Sequence, residues 1–175
     1  MTLETEFAPA DAPMAKLLSV ILIIGQWVLG LSIILILITA ILFSLPETMS
    51  ISIKADLPGQ LNGATMIGNL MSGAIIAAGW FFVLRFLRQV VSSLIHGDPF
   101  SPENIARLRL ILILIIATEL VRIFSLFIFG SVGDVEGIKR LDIRIGTWFF
   151  IFIIAAISEA FRYGAALRAE QELTI

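Results

Sequence analysis

Four charged side chains fall where a charge is costly. Glu119 and Arg122 interrupt the apolar run from Leu110 to Gly130, and Glu159 and Arg162 close a second run that is uncharged from Ile145 to Ser158. Each pair is spaced i, i+3, which lets both side chains meet on one face of a helix. Charges at membrane depth mark a mutually neutralising buried pair or a functional relay. For Glu119 and Arg122 the preferred reading is a pair that pins helix packing. A proton or ion relay and a ligand- or partner-dependent role are the alternatives. Glu159 and Arg162 read as an interface anchor, with Arg162 reaching for the headgroups.

Little else in the chain can carry chemistry. Cysteine is absent, and His96 is the single histidine, which excludes disulfides, thiolate sites and multi-histidine metal or haem centres. No P-loop, nucleophile elbow or zinc motif occurs. The expectation is a chain with no cofactor, no metal and no enzymatic activity.

The elements that hold these residues follow from composition. Of 175 residues 58% are hydrophobic and only 15% charged, where about 25% charged is usual for a soluble domain. Mean hydropathy is +1.00. A soluble fold of this size cannot bury so much apolar surface. Twelve basic residues stand against fourteen acidic ones, for a net charge of −2, so no polyanion-binding surface and no direct nucleic-acid binding is expected. Leu17 to Pro46 and Leu57 to Leu84 carry no charge, and each exceeds the roughly 20 residues needed to cross a bilayer. With the two charged runs, they predict four spans at about 17–45, 64–87, 104–130 and 145–166. The first 15 residues include Glu4, Glu6 and Asp11, unlike the basic start of a secretory signal. The fold class is an all-α membrane protein: one domain over residues 1–175, a four-helix transmembrane bundle with short outer loops.

Seven Lys and Arg residues flank the spans on the side of the N-terminus and four on the other, which places both termini in the cytoplasm. Trp148 is then expected near the outer interface and Trp80 toward the inner one. On the outer side, Ile51, Ile53, Ala55 and Leu57 alternate with polar residues, as do Leu141, Ile143 and Ile145. This period of two suits two short strands capping the outer ends; two interface-hugging loops are the preferred reading. On the inner side, Gly97-Asp98-Pro99 is a turn signal. Ser101 is placed to cap a helix starting at Pro102, with Glu103 in its first turn, and Phe100 is placed to anchor the turn against the bundle.

Depth can be read at about 1.5 Å per residue. Glu119 lies ten residues past Arg109, near the midplane, and Gln26 falls at a similar depth. Ser72 comes level with Arg122, so Gln26, Ser72, Glu119 and Arg122 form a candidate polar core. Helix two also carries rows of small residues, Ala64/Gly68/Ser72 and Asn69/Gly73/Ala77, which permit close helix approach. Packing within the chain is the preferred use of these rows; homo-oligomerisation is the other.

Three motifs in order carry a resemblance. They are Gly97-Asp98-Pro99-Phe100-x-x-Glu103-Asn104-x-x-Arg107-Leu108-Arg109, then Glu159-x-Phe161-Arg162-x-Gly164, then the terminal Glu172-Leu173-Thr174-Ile175. Together they resemble the YoaS-like family of bacterial membrane proteins, a four-span domain of unknown function. The resemblance implies a bacterial inner-membrane location. Because members are often encoded beside a small helix-turn-helix regulator, it also implies a cytoplasmic transcription regulator as partner. The expected function is that of a regulatory or interaction protein in the membrane. The alternative is a small proton- or ion-coupled transporter, or accessory subunit, using Glu119 and Arg122.

Overall fold

The structure, a computed structural model, describes residues 13–44, 63–95, 100–129 and 144–172. These residues form four helices: α1 (Pro13–Ser44), α2 (Gly63–Ile95), α3 (Pro102–Phe129) and α4 (Ile145–Glu172). All four are long and apolar enough to cross a membrane, and the chain is a multi-pass membrane protein by that measure. No strand occurs among the described residues. The first candidate strand lies wholly outside them, and of the second only Arg144 and Ile145 lie inside, at the start of α4.

Local sequence explains the boundaries. Pro13 stands first in α1, where its missing N–H costs nothing. Ser101 takes the N-cap position of α3, its carbonyl accepting the N–H of Asn104 at 3.0 Å and of Ile105 at 3.3 Å. Pro102 and Glu103 then fill the first turn as expected. Arg144 plays the corresponding part for α4, its carbonyl accepting from Thr147 at 2.9 Å. The helices outrun their expected spans: α2 has 33 residues and is about 50 Å long, against a hydrocarbon core of roughly 30 Å.

The helices pack in chain order. Cα atoms approach within 8 Å between α1 and α2, α2 and α3, and α3 and α4, and between no other pair among the described helices. Among the described helices, α1 has α2 as its single neighbour at that distance. The apolar core lies between the other three helices, where Val83 and Val90 of α2, Leu108, Ile111 and Ile115 of α3, and Ile151 and Ile154 of α4 form one cluster.

Glycines fix the register. A methyl built at Gly79 would overlap the Thr118 methyl, and one at Gly68 would overlap the Phe129 ring. Both contacts match an antiparallel α2–α3 alignment in which Ser93 faces Asn104. On the other side of α2, Gly25 meets Leu84 and Gly30 faces Phe81. Helix two is thus central, as its small residues suggest, although the tightest position, Gly79, belongs to neither row, and Gly73 meets nothing within 4 Å.

The fourth helix is displaced toward the end that carries the α2–α3 connection, here called the inner end. Trp80 lines one small cavity with Gly146, Thr147 and Phe150, so the first turn of α4 is level with Trp80 and, across Gly79, with Thr118. Trp148 therefore lies at the level of Trp80. The expected placement of these two tryptophans at opposite interfaces does not hold, because α4 begins beside the middle of α3 rather than beside its outer end.

Candidate functional site

Glu119 and Arg122 sit on α3, only 6% and 9% exposed. Their i, i+3 spacing brings them together as read from the sequence. Arg122 Nη2 donates to Glu119 Oε1 at 2.5 Å, and Nε donates to both carboxylate oxygens at 3.1–3.2 Å. A fork of this kind is the strongest geometry for a guanidinium and a carboxylate. One charge neutralises the other within a single helix. Thr118, also buried, turns its hydroxyl back to the Ile115 carbonyl at 2.9 Å.

The other two members of the expected polar core stand apart from this pair. Gln26 is on α1, level with Leu84 of α2, which places it some six residues, or about 9 Å, nearer the inner end than Glu119. Depth counted from Leu17 misplaces it because α1 begins at Pro13 and its first turns run beside the inner part of α2. Gln26 faces a groove shared with Arg85 and Arg88. Ser72 comes opposite Ser125, one turn outward of Arg122, and its hydroxyl donates to the Gly68 carbonyl at 2.7 Å.

The inner end gathers the motif residues. Asn104 is fully buried. Its side-chain amide donates to the Ser93 hydroxyl at 2.5 Å and its carbonyl accepts from Arg107 Nη1 at 2.7 Å. Ser93 in turn donates to the Val90 carbonyl at 2.7 Å. One asparagine thereby ties the last turns of α2 to the first turns of α3. Phe100 packs its ring on Phe161 of α4, with centroids 5.4 Å apart and planes at 54°. It also lies over Gly164, where a methyl would come within 2.6 Å of its ring. Phe161 continues into the apolar core. Two motifs separated by about fifty residues thus meet around one aromatic ring.

The charged members of the motifs surround this knot. Glu103 and Arg109 face outward on α3. Arg162 Nη2 donates to Glu159 Oε1, and both side chains stay about half exposed. The Arg162 guanidinium also lies 5.4 Å from the Tyr163 ring centroid. Because Phe161 and Gly164 are level with Phe100, the remainder of α4 runs about eight residues, or 12 Å, past the start of α3. On this arm Tyr163 and Leu167 are 61% and 62% exposed. Asp98 and Pro99 lie outside the described residues, as do His96, Gly97 and the terminal Leu173-Thr174-Ile175.

Ser93 and Thr118 have no role in the sequence reading. Neither has a local signal; each matters because of what the α2–α3 packing sets opposite it. Arg85 and Arg88 belong to the seven Lys and Arg residues that mark the N-terminal side, and their place beside Gln26 comes only from the α1–α2 register. Among the described residues, no cluster of acidic or histidine side chains could hold a metal ion.

Residues 51–175 match the family described as protein of unknown function (DUF2975). The matched part spans α2, α3 and α4 with the motifs of the inner end, so the chain belongs to this family. No curated protein and no solved structure matches it.

Proposed function

For a member of a family whose description assigns no activity, we propose a regulatory or interaction protein of the membrane that works through its inner end. The observation that carries this reading is the knot of Phe100, Phe161, Gly164, Asn104 and Ser93. It fixes the angle at which the last turns of α4 leave the bundle. The projecting arm carries Tyr163 and Leu167 one turn apart on one face, with Arg168 and Glu170 beside them. An amphipathic helix of this kind suits a groove on a protein partner. The Lys and Arg bias supports placing this end, and both termini, in the cytoplasm. With the YoaS-like resemblance, it supports a bacterial inner membrane and a helix-turn-helix transcription regulator as the partner. Binding rather than catalysis is the work assigned to this end. Association with nucleic acid would then run through the regulator, and a second copy of the chain is a further candidate partner.

Affinity capture from solubilised membranes tests the reading. The intact chain is compared with one lacking residues 165–175. The expected result is a cytoplasmic protein captured by the first and lost from the second; identical sets of captured proteins overturn the proposal.

A second reading rests on Glu119. A carboxylate buried at mid-helix beside its own arginine is the type of group on which proton coupling is built. In that reading the chain is a small ion-coupled transporter or an accessory subunit. Glu119→Gln then abolishes pH-dependent flux in proteoliposomes that contain the intact chain, and unchanged flux removes this role.

A further inference from the structure

Between α1 and α2 the surface opens into a groove of about 400 Å³ that runs from Arg85, Arg88 and Gln26 to Leu31, Ile34 and Phe81. Its two ends differ in chemistry. Toward the middle of the helices it is wholly apolar, walled by Leu31, Ile34 and Phe81 with Gly30 as an open floor, where a methyl would meet nothing nearer than the Phe81 ring at 3.9 Å. Toward the inner end it carries two guanidinium groups one helical turn apart.

Among the described residues, the polar groups of this groove lack partners. Arg85 and Arg88 form no ion pair among the described residues, and neither α1 nor α2 contains an acidic residue that could supply one. Gln26 is 8% exposed and makes no hydrogen bond among the described residues. Every fully enclosed side-chain nitrogen or oxygen among those residues has a partner. The Gln26 amide lines the groove. A hydrogen-bonding occupant of the groove would give this amide a partner.

We propose that this groove is a binding site for an anionic phospholipid. The phosphate lies between Arg85 and Arg88, the ester region at the Gln26 amide, and one acyl chain along Gly30, Leu31, Ile34 and Phe81. Three features select this occupant. The guanidinium pair, with no carboxylate on either of the two helices that form the groove, calls for an anion. The amide lies at the boundary between charge and apolar wall, where the glycerol esters of a lipid sit. The apolar length beyond it calls for a hydrocarbon chain, which a free phosphate lacks. Trp27, 77% exposed at the groove mouth, belongs to the residue type enriched at headgroup level.

The test uses the full chain purified in mild detergent and mixed with dioleoyl phosphatidylglycerol or dioleoyl phosphatidylcholine, with retained lipid counted by native mass spectrometry. An arginine near an anionic lipid surface contributes about fivefold, so the two predict roughly a twenty- to thirtyfold preference for phosphatidylglycerol. Arg85→Gln with Arg88→Gln removes that preference, while Arg85→Lys with Arg88→Lys keeps most of it and shows that the helices still assemble. Gly30→Leu, which fills the open floor, lowers retention of phosphatidylglycerol. Equal retention of the two lipids by the intact chain, or a preference unchanged in the double glutamine variant, overturns the proposal. Displacement of the bound lipid by inorganic phosphate alone also overturns it, since the acyl chain then contributes nothing.

Discussion

The Glu119–Arg122 pair has its consequence in what each partner would become alone. Removing one member of a buried ion pair leaves an uncompensated charge and costs about 3–5 kcal/mol, whereas replacing both with apolar residues of similar volume is often neutral or stabilising. Glu119→Gln is therefore expected to lower the thermal midpoint of the purified chain in detergent, and Glu119→Leu with Arg122→Leu to restore it. Thermal melts of the two variants decide the matter. A double variant as damaged as the single one would mean the pair holds something besides itself. This pair was legible in the sequence, because i, i+3 spacing on an apolar helix leaves the two side chains little other choice. The Asn104–Ser93 bond was not, since eleven residues and a turn separate its partners and only the α2–α3 register brings them together.

Among the elements, α2 and α3 depend on the absence of one side chain. Gly79 leaves the space that the Thr118 methyl occupies. Gly79→Ala should destabilise the chain by about 1–3 kcal/mol through overpacking. Thr118→Ser removes the obstructing methyl yet keeps the hydroxyl that bonds to the Ile115 carbonyl. The pair Gly79→Ala with Thr118→Ser should recover about 1 kcal/mol or more of that loss. A double-mutant cycle read by thermal denaturation checks this, and strictly additive effects would contradict the packing. Small-residue rows in the sequence identified α2 as the close-packing helix. They did not identify Gly79, because which small residue faces which neighbour depends on helix rotation, and apolar residues on every face leave rotation unspecified. Helix ends were better marked: Ser101, Pro102 and Glu103 carry start signals that act locally. The stagger of α4 had no such signal, since a span written as an apolar run carries no information about the depth at which it begins.

At the scale of the molecule, the chain divides unevenly. The shared apolar core belongs to α2, α3 and α4, α1 approaches only α2 among the described helices, and the family match begins at residue 51, after α1 has ended. Packing and family boundary thus separate the same helix. A chain cut at an inserted protease site between residues 45 and 62 should release α1 in detergent while α2–α4 keep their helical signal and a cooperative melt. Circular dichroism of the separated piece is the measurement, and loss of cooperativity on cutting would show that α1 completes the core.

A helix held between two neighbours has its tilt set by protein on both sides; α1 is held on one. Its 32 residues make a rod of about 48 Å, and an apolar rod longer than the local hydrocarbon leans to fit it. Its lean relative to α2 is therefore shared between the α1–α2 contact and the thickness of the surrounding bilayer. The Gln26–Arg85 groove lies along that line of contact, so a lipid seated there touches the one helix whose lean the protein holds from a single side among the described helices.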